Sequence, residues 1–243
     1  VTTFADRLAA ELRRDPGRPL LTSYDERSGE RVELSVTTFA NWVAKTASLL
    51  VDEHDLERND VLLVDLPTHW LGPVFLGAAW TAGLTVAFAG SGGTPAAVVC
   101  GPASLATWAP LADDRPVLAC SLLPMGVRFA EPLPAGVHDV GVEVWGQPDA
   151  FTAYDPPGGA DVALLDGPVT QDELFGSSAA AGNPAGSTGG NRLLSTVNPA
   201  SPPGVTAVSR PLVSGGSLVL VTGADPVRLD AIAEAERVTH RFG

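Results

Sequence analysis

The stretch best suited to chemistry in this sequence is Gly186-Ser187-Thr188-Gly189-Gly190, with Arg192 close behind it. Backbone N–H groups of consecutive small residues can face an anion, and a guanidinium would add charge. Two features count against that reading. No G-x-x-x-x-G-K-[ST] pattern is present, and the segment runs toward an expected strand at 192–197, so no helix N-terminus contributes its dipole. It closes a low-complexity stretch, 176–190, that is expected to be a mobile surface connector.

Other chemistries find no motif. There is no G-x-S-x-G nucleophile elbow, no H-E-x-x-H and no Cys-x-x-Cys pair. His54, His69, His138 and His240 stand far apart, so each is expected at the surface or at a helix end. With no clustered His, Asp and Glu, no metal site is expected. Cys100 and Cys120 lie in apolar runs without a base or cation beside them, which marks them as buried structural thiols. No catalytic, cofactor-binding or metal-ligating residue is assigned, and no cofactor is expected.

Bulk properties narrow the partners. The net charge is −13, so nucleic acid and anionic membranes are disfavoured. Lys45 is the only lysine. Two cysteines do not make a disulfide framework, and residues 1–14 lack the apolar run of a signal peptide, so the expected compartment is the cytoplasm. Residues 66–112 carry no Asp, Glu, Lys or Arg, and 70–89 is long enough to span a bilayer. Pro73, Gly72, Gly77 and Gly83 interrupt that run, which favours a packed helix over 69–82 and a short buried strand after Gly83.

The elements that would position any site follow from periodicity. Phe4, Leu8 and Leu12 give an amphipathic helix stopped at Asp15-Pro16-Gly17. A hairpin is expected from 19–24 and 30–34, then a helix capped by Ser35. Runs at 60–66, 84–89, 96–100, 117–120, 162–165, 192–197 and 217–221 read as strands. Helical segments at 69–82, 103–108, 170–175 and 203–213 lie between them, and Asp225 caps a last helix. Residues 136–161 give no clear element, with a turn at Tyr154-Asp155-Pro156-Pro157-Gly158-Gly159. The alternation predicts a layered α/β fold with a mostly parallel central sheet, and 61–64 as an interior strand.

Three segments resemble the adenylate-forming superfamily of acyl-CoA synthetases, luciferases and peptide-synthetase adenylation domains. Residues 19–88 share its opening order, with Leu49-Leu50, the turn Glu57-Arg58-Asn59-Asp60, Pro67 and Ala82-Gly83 at the matching places. Asp161-Val162-Ala163-Leu164-Leu165 is similar to the strand before the family's ATP loop. Asn191-Arg192-Leu193-Leu194-Ser195-Thr196 resembles a later strand, and Glu236-Arg237-Val238-Thr239 closes the likeness. The resemblance implies the fold of an acyl-CoA synthetase N-terminal domain, one domain over 1–243 with a subdomain break near 154–160. It also implies an ATP loop with a lysine, but Asp166-Gly167-Pro168-Val169-Thr170 leads straight to a helix. Lys45, on the early helix and expected to face solvent, matches neither of the two lysines the family uses. After the later strand the family often places an aromatic or His, and 198–203 has neither. The later adenine and ribose motifs and the C-terminal domain have no counterpart in 1–243. The chain is similar to bacterial families of shortened relatives.

Two functions follow from this. The leading one is a non-catalytic pseudoenzyme, a binding or regulatory module for a partner the sequence does not specify, a protein being one candidate. The rival is a partial AMP-forming ligase that binds an acyl or aryl acid, with its missing parts supplied by a partner. A deep apolar pocket near 195–201 would favour the rival.

Overall fold

The structure, a computed structural model, describes residues 2–176 and 191–243. Most of the low-complexity stretch, including Gly186–Gly190, lies outside the described residues.

Helix α1 (Phe4–Arg14) starts on a reciprocal cap, in which Thr3 Oγ1 accepts from Asp6 N at 3.2 Å and the Asp6 carboxylate accepts from Thr3 N at 2.9 Å. The hairpin β1 (Pro19–Asp25) and β2 (Glu30–Ser35) follows. Ser35 caps α2 (Val36–Ser48), which widens into a π-turn at Leu49–Glu53 that His54 terminates. Next come β3 (Val61–Asp65), α3 (Leu71–Ala82) and β4 (Thr85–Phe88). Gly83, at φ 80°, supplies the left-handed residue that turns α3 into β4. The chain continues through β5 (Ala97–Cys100), α4 (Leu105–Trp108), β6 (Val117–Ala119), β7 (Val137–Asp139) and α5 (Val140–Glu143). After a long loop come β8 (Val162–Leu164), β9 (Val169–Thr170) and α6 (Gln171–Phe175). The second described stretch holds β10 (Arg192–Ser195), α7 (Val205–Ser214), β11 (Ser217–Thr222), α8 (Pro226–Ala235) and β12 (His240–Phe242).

The fold is α/β with mostly parallel strands, divided between two sheets. One has seven strands in the order β7-β6-β5-β3-β4-β8-β9, the other five in the order β12-β10-β11-β1-β2. Among the described residues, only the hairpins β1–β2 and β8–β9 pair antiparallel. Strand β3 is interior and parallel to both neighbours, as its continuous apolar run requires. Alternation along the chain does not say how strands divide between sheets, because that depends on which ones meet at long range.

One apolar core spans both sheets. It takes Leu62 and Val86 from one, Leu21, Leu218 and Leu220 from the other, and Phe39 and Phe75 from the helices. Phe4, Trp80 and Phe175 stack edge-on or tilted with centroids 5.2–5.7 Å apart. Gln171 is buried at their side, accepting from Phe4 N at 3.0 Å and donating to Trp80 O at 2.8 Å. Gly77 lets α1 approach α3, since a Cβ there would lie 2.6 Å from Phe4 Cζ. Helix α3 is buried within the protein, and no described helix is long and apolar enough to cross a membrane. It begins at Leu71 rather than His69; the His69 imidazole Nδ1 instead accepts from Leu71 N at 3.2 Å. Three short strands, β7, β9 and β12, have no periodic signature in the sequence.

Candidate functional site

Ligands of open parallel sheets bind outside the carboxyl ends of the strands, where the strand order reverses. In the seven-stranded sheet that point lies between β3 and β5, because the chain adds β4 on one side of β3 and then crosses to the other. Here the crevice is filled. Trp108 Nε1 donates to the Asp65 carboxylate at 2.7 Å, and Ser104 Oγ and Gly101 N donate to Asp65 O at 3.3 Å. Leu122 and Pro67 close over Gly101, so that even a Cβ there would lie 3.2–3.3 Å from them.

The stretch after β10 is packed as well. Asn198 Nδ2 donates to Leu66 O at 2.8 Å, and Asn198 Oδ1 accepts from Ala200 N at 3.0 Å. Pro199 sits against Gly72, where a Cβ would come within 3.3 Å. Ser195 is fully buried and its Oγ accepts from Val197 N. This segment ties β10 to the start of α3 and does not open as an acyl pocket.

Where the resemblance implies an ATP loop, β8 and β9 form a tight hairpin with Leu164 paired to Val169. Gly167 turns at φ 60°, and Asp166 accepts from Ser91 Oγ. Thr170 and Glu173 then cap α6 reciprocally.

The basic groups singled out by sequence are engaged. Arg192 pairs with Glu236 and donates to Thr22 Oγ1 and Ser217 Oγ, each at 3.0 Å. Burial works to raise the Glu236 pKa, but hydrogen bonds from Tyr24, Arg31 and Arg192 outweigh it and hold the carboxyl at about 2. Arg192 borders an open cleft of about 490 Å³ with Arg14 and Arg18. Arg14 donates to Gly215 O, and Arg18 to Gly216 O and Glu11. These contacts satisfy carbonyls after α7 as a basic C-cap would. Lys45 does not stand free in solvent, as its helical position suggested. Residues 147–149 fold over it, so that its ammonium donates to Gln147 O and pairs with Asp149 at 3.2 Å. A second cleft, of about 420 Å³, lies beside Leu56, Arg58 and Phe151. Its Arg58 is held by Asp155 at 2.9 Å and by both Asp161 oxygens at 2.7–2.8 Å.

The histidines correct the sequence reading, which kept them apart. His54 and His138 meet with ring centroids 4.4 Å apart. Glu143 bridges them, with Oε2 3.0 Å from His54 Nε2 and Oε1 2.9 Å from His138 Nδ1. The π-turn after α2 places His54, whose backbone N donates to Leu49 O. Asp139 caps α5 through Gly141 N, and Gly141 packs so closely on residues 127–128 that a Cβ would lie 2.4 Å from their backbone. The unit bearing His138 and Glu143 is thereby fixed. No spacing rule could reveal this cluster, since its first member arrives from 89 residues away. Of the other histidines, His240 contacts Thr239 Oγ1 at 3.0 Å, and burial pushes His69 down to about 4. The thiols are free and buried as expected; burial pushes Cys100 up to about 12 and Cys120 well above its ordinary range.

Comparison with known proteins places this geometry. No protein-family model matches the sequence. A "TIGR03089 family protein" of Mycobacterium tuberculosis (strain ATCC 25618 / H37Rv) is 35% identical over 239 residues, covering 94% of this chain and 93% of that one. An acyl-CoA synthetase of Brucella canis superposes with a TM-score of 0.77 at 20% identity, over 97% of this chain and 46% of its own. A fatty acyl CoA synthetase of M. tuberculosis gives 0.72 at 14% identity, over 98% and 48%. The N-terminal domain of FACL13 from M. tuberculosis gives 0.70 at 14%, over 99% and 62%. The chain thus spans about half the length of the first two structures and 62% of the third. The likeness to solved structures shows the fold of the N-terminal part of acyl-CoA synthetases, and the full-length likeness to the mycobacterial protein shows that this chain belongs to the TIGR03089 family.

Proposed function

We propose that this chain is a non-catalytic relative of acyl-CoA synthetases, a single domain whose fold serves as a binding or regulatory module in the bacterial cytoplasm. The observation that carries the reading is the β8–β9 hairpin, whose turn takes only four residues, 165–168, where the resemblance implies a phosphate-holding loop with a lysine. Three further features support it. The switch-point crevice is filled by Trp108, the only lysine is committed to the 147–149 loop, and Arg192 is neutralised by Glu236. Free, buried thiols are in keeping with a reducing compartment.

Acyl-adenylate formation builds charge on phosphate oxygens, which needs donors and a metal ion aimed at them. Losing one such donor typically costs roughly a hundred- to a thousand-fold in rate. Pyrophosphate–ATP exchange, measured with Mg²⁺ and a panel of fatty, aryl and amino acids, is expected to stay at background. Substrate-dependent exchange that survives repurification and disappears in Arg192→Ala would overturn the reading.

A further inference from the structure

We propose that His54, His138 and Glu143 form a binding site for a divalent transition-metal ion of the Zn²⁺ type. Two imidazole nitrogens and one carboxylate oxygen would bind it, with the remaining position open to solvent. The donor set selects the ion. Imidazole suits Zn²⁺, Co²⁺ and Ni²⁺, whereas Mg²⁺ and Ca²⁺ favour all-oxygen shells. Two nitrogens with one carboxylate is also a ligand set that zinc takes when it keeps an open position.

The distances fit a site short of small adjustments. Ligands about 2.1 Å from a tetrahedral ion stand ~3.4 Å from one another. Here His54 Nε2 lies 3.0 Å from Glu143 Oε2 and His138 Nδ1 lies 2.9 Å from the other oxygen, Oε1, and a set of one ligand atom per residue lies within 4.8 Å of one another. Loading takes a turn of the Glu143 carboxylate that brings one oxygen to both rings and a closing of the set from within 4.8 Å toward ~3.4 Å. In the ion-free arrangement Glu143 accepts an N–H from each ring. Loading needs the other tautomer of both rings, so that His54 Nε2 and His138 Nδ1 present lone pairs.

Two further observations set this cluster apart from a chance surface contact. Its backbone is built: His54 ends a π-turn, a distortion frequent at functional sites, and the Gly141 approach fixes its two partners. Its burial is graded, with side-chain exposures of 5% at His54, 25% at Glu143 and 38% at His138. An ion held there would have protein on one side and a path to water on the other.

The test uses the whole chain, stripped with a chelator, and the metal alone. Co²⁺ titration followed by visible absorption should give one equivalent per chain with no sulfur-to-cobalt band, and Zn²⁺ should displace it. Millimolar Mg²⁺ or Ca²⁺ should not. His138→Ala and Glu143→Gln should each weaken Zn²⁺ binding at least tenfold while keeping the far-UV circular dichroism of the parent; His240→Ala should bind as the parent does. Should His138→Ala fail to fold, the near-isosteric Glu143→Gln decides alone. Absence of stoichiometric binding, equal binding by parent and Glu143→Gln, or a thiolate band would overturn the proposal.

Discussion

Two glutamates act as hubs in this molecule, and their surroundings differ. Glu236, after α8, receives Tyr24, Arg31 and Arg192, which draw β1, β2 and β10 onto the end of that helix. Glu143, on α5, receives His54 and His138. Both are bridged carboxylates at the margin of a sheet. The first is met by guanidiniums, whose charge is permanent, and its side chain is 10% exposed. The second is met by imidazoles, whose ring nitrogens are metal ligands, and it is 25% exposed. A hub of fixed charges fastens structure. A hub of metal-ligating nitrogens with open access is suited to binding what the solvent carries.

Mutation should separate the two hubs. Glu236→Ala leaves Arg192 largely buried without its counter-charge, and is expected to lower stability by about 3 kcal/mol in urea denaturation. Acid should expose the same hub. Its folded pKa of about 2 lies below the ordinary 4.5, so its contribution is present above pH 4.5 and is lost as pH falls toward 2. The parent should therefore lose stability across that window more steeply than Glu236→Gln; identical profiles would mean that the three donors do not hold the ionised form. Without metal, Glu143→Gln should cost only ~1 kcal/mol, because an amide keeps one acceptor oxygen and the site can rehydrate. If it costs as much as Glu236→Ala, the two hubs are alike and the comparison fails. The smallest effect belongs to Lys45→Met, expected at or below ~1 kcal/mol, since its partner Asp149 is 63% exposed. Faster proteolysis in the loop at 147–149 would be its sign.

How much of this was legible depends on range. The order of elements from α1 to β4 could be read from local signals, because Ser35 and Gly83 mark element ends and Val61–Val64 is continuously apolar. Strand β7 could not, since its three residues are all half-buried and carry no alternation. The filling of the expected pocket was only partly visible. The missing aromatic or His after β10 could be seen, but not that Asn198 would reach Leu66 or Trp108 would reach Asp65. Charge partners were hidden for the same reason: Arg192 stood out as a free cation until the chain brought Glu236 to it. The histidine cluster joins residues from the end of α2 and from β7–α5, and local spacing carries no trace of that meeting.

The pairing of β1 with β11 bears on how the protein is made. Leu21 lies opposite Leu218, so β1 has no parallel neighbour until synthesis has run on from Leu21 to Leu218. The seven-stranded sheet draws only on residues 61–170 and can assemble while the rest is still being translated. During that interval β1 has β2 on one side and bare N–H and C=O groups on the other, an edge that can recruit strands from other chains. Closure over so long a separation is slow. The newborn chain is therefore exposed to aggregation at the β1–β2 hairpin, and a holdase that covers residues 19–35 until β11 emerges would raise the yield of native protein.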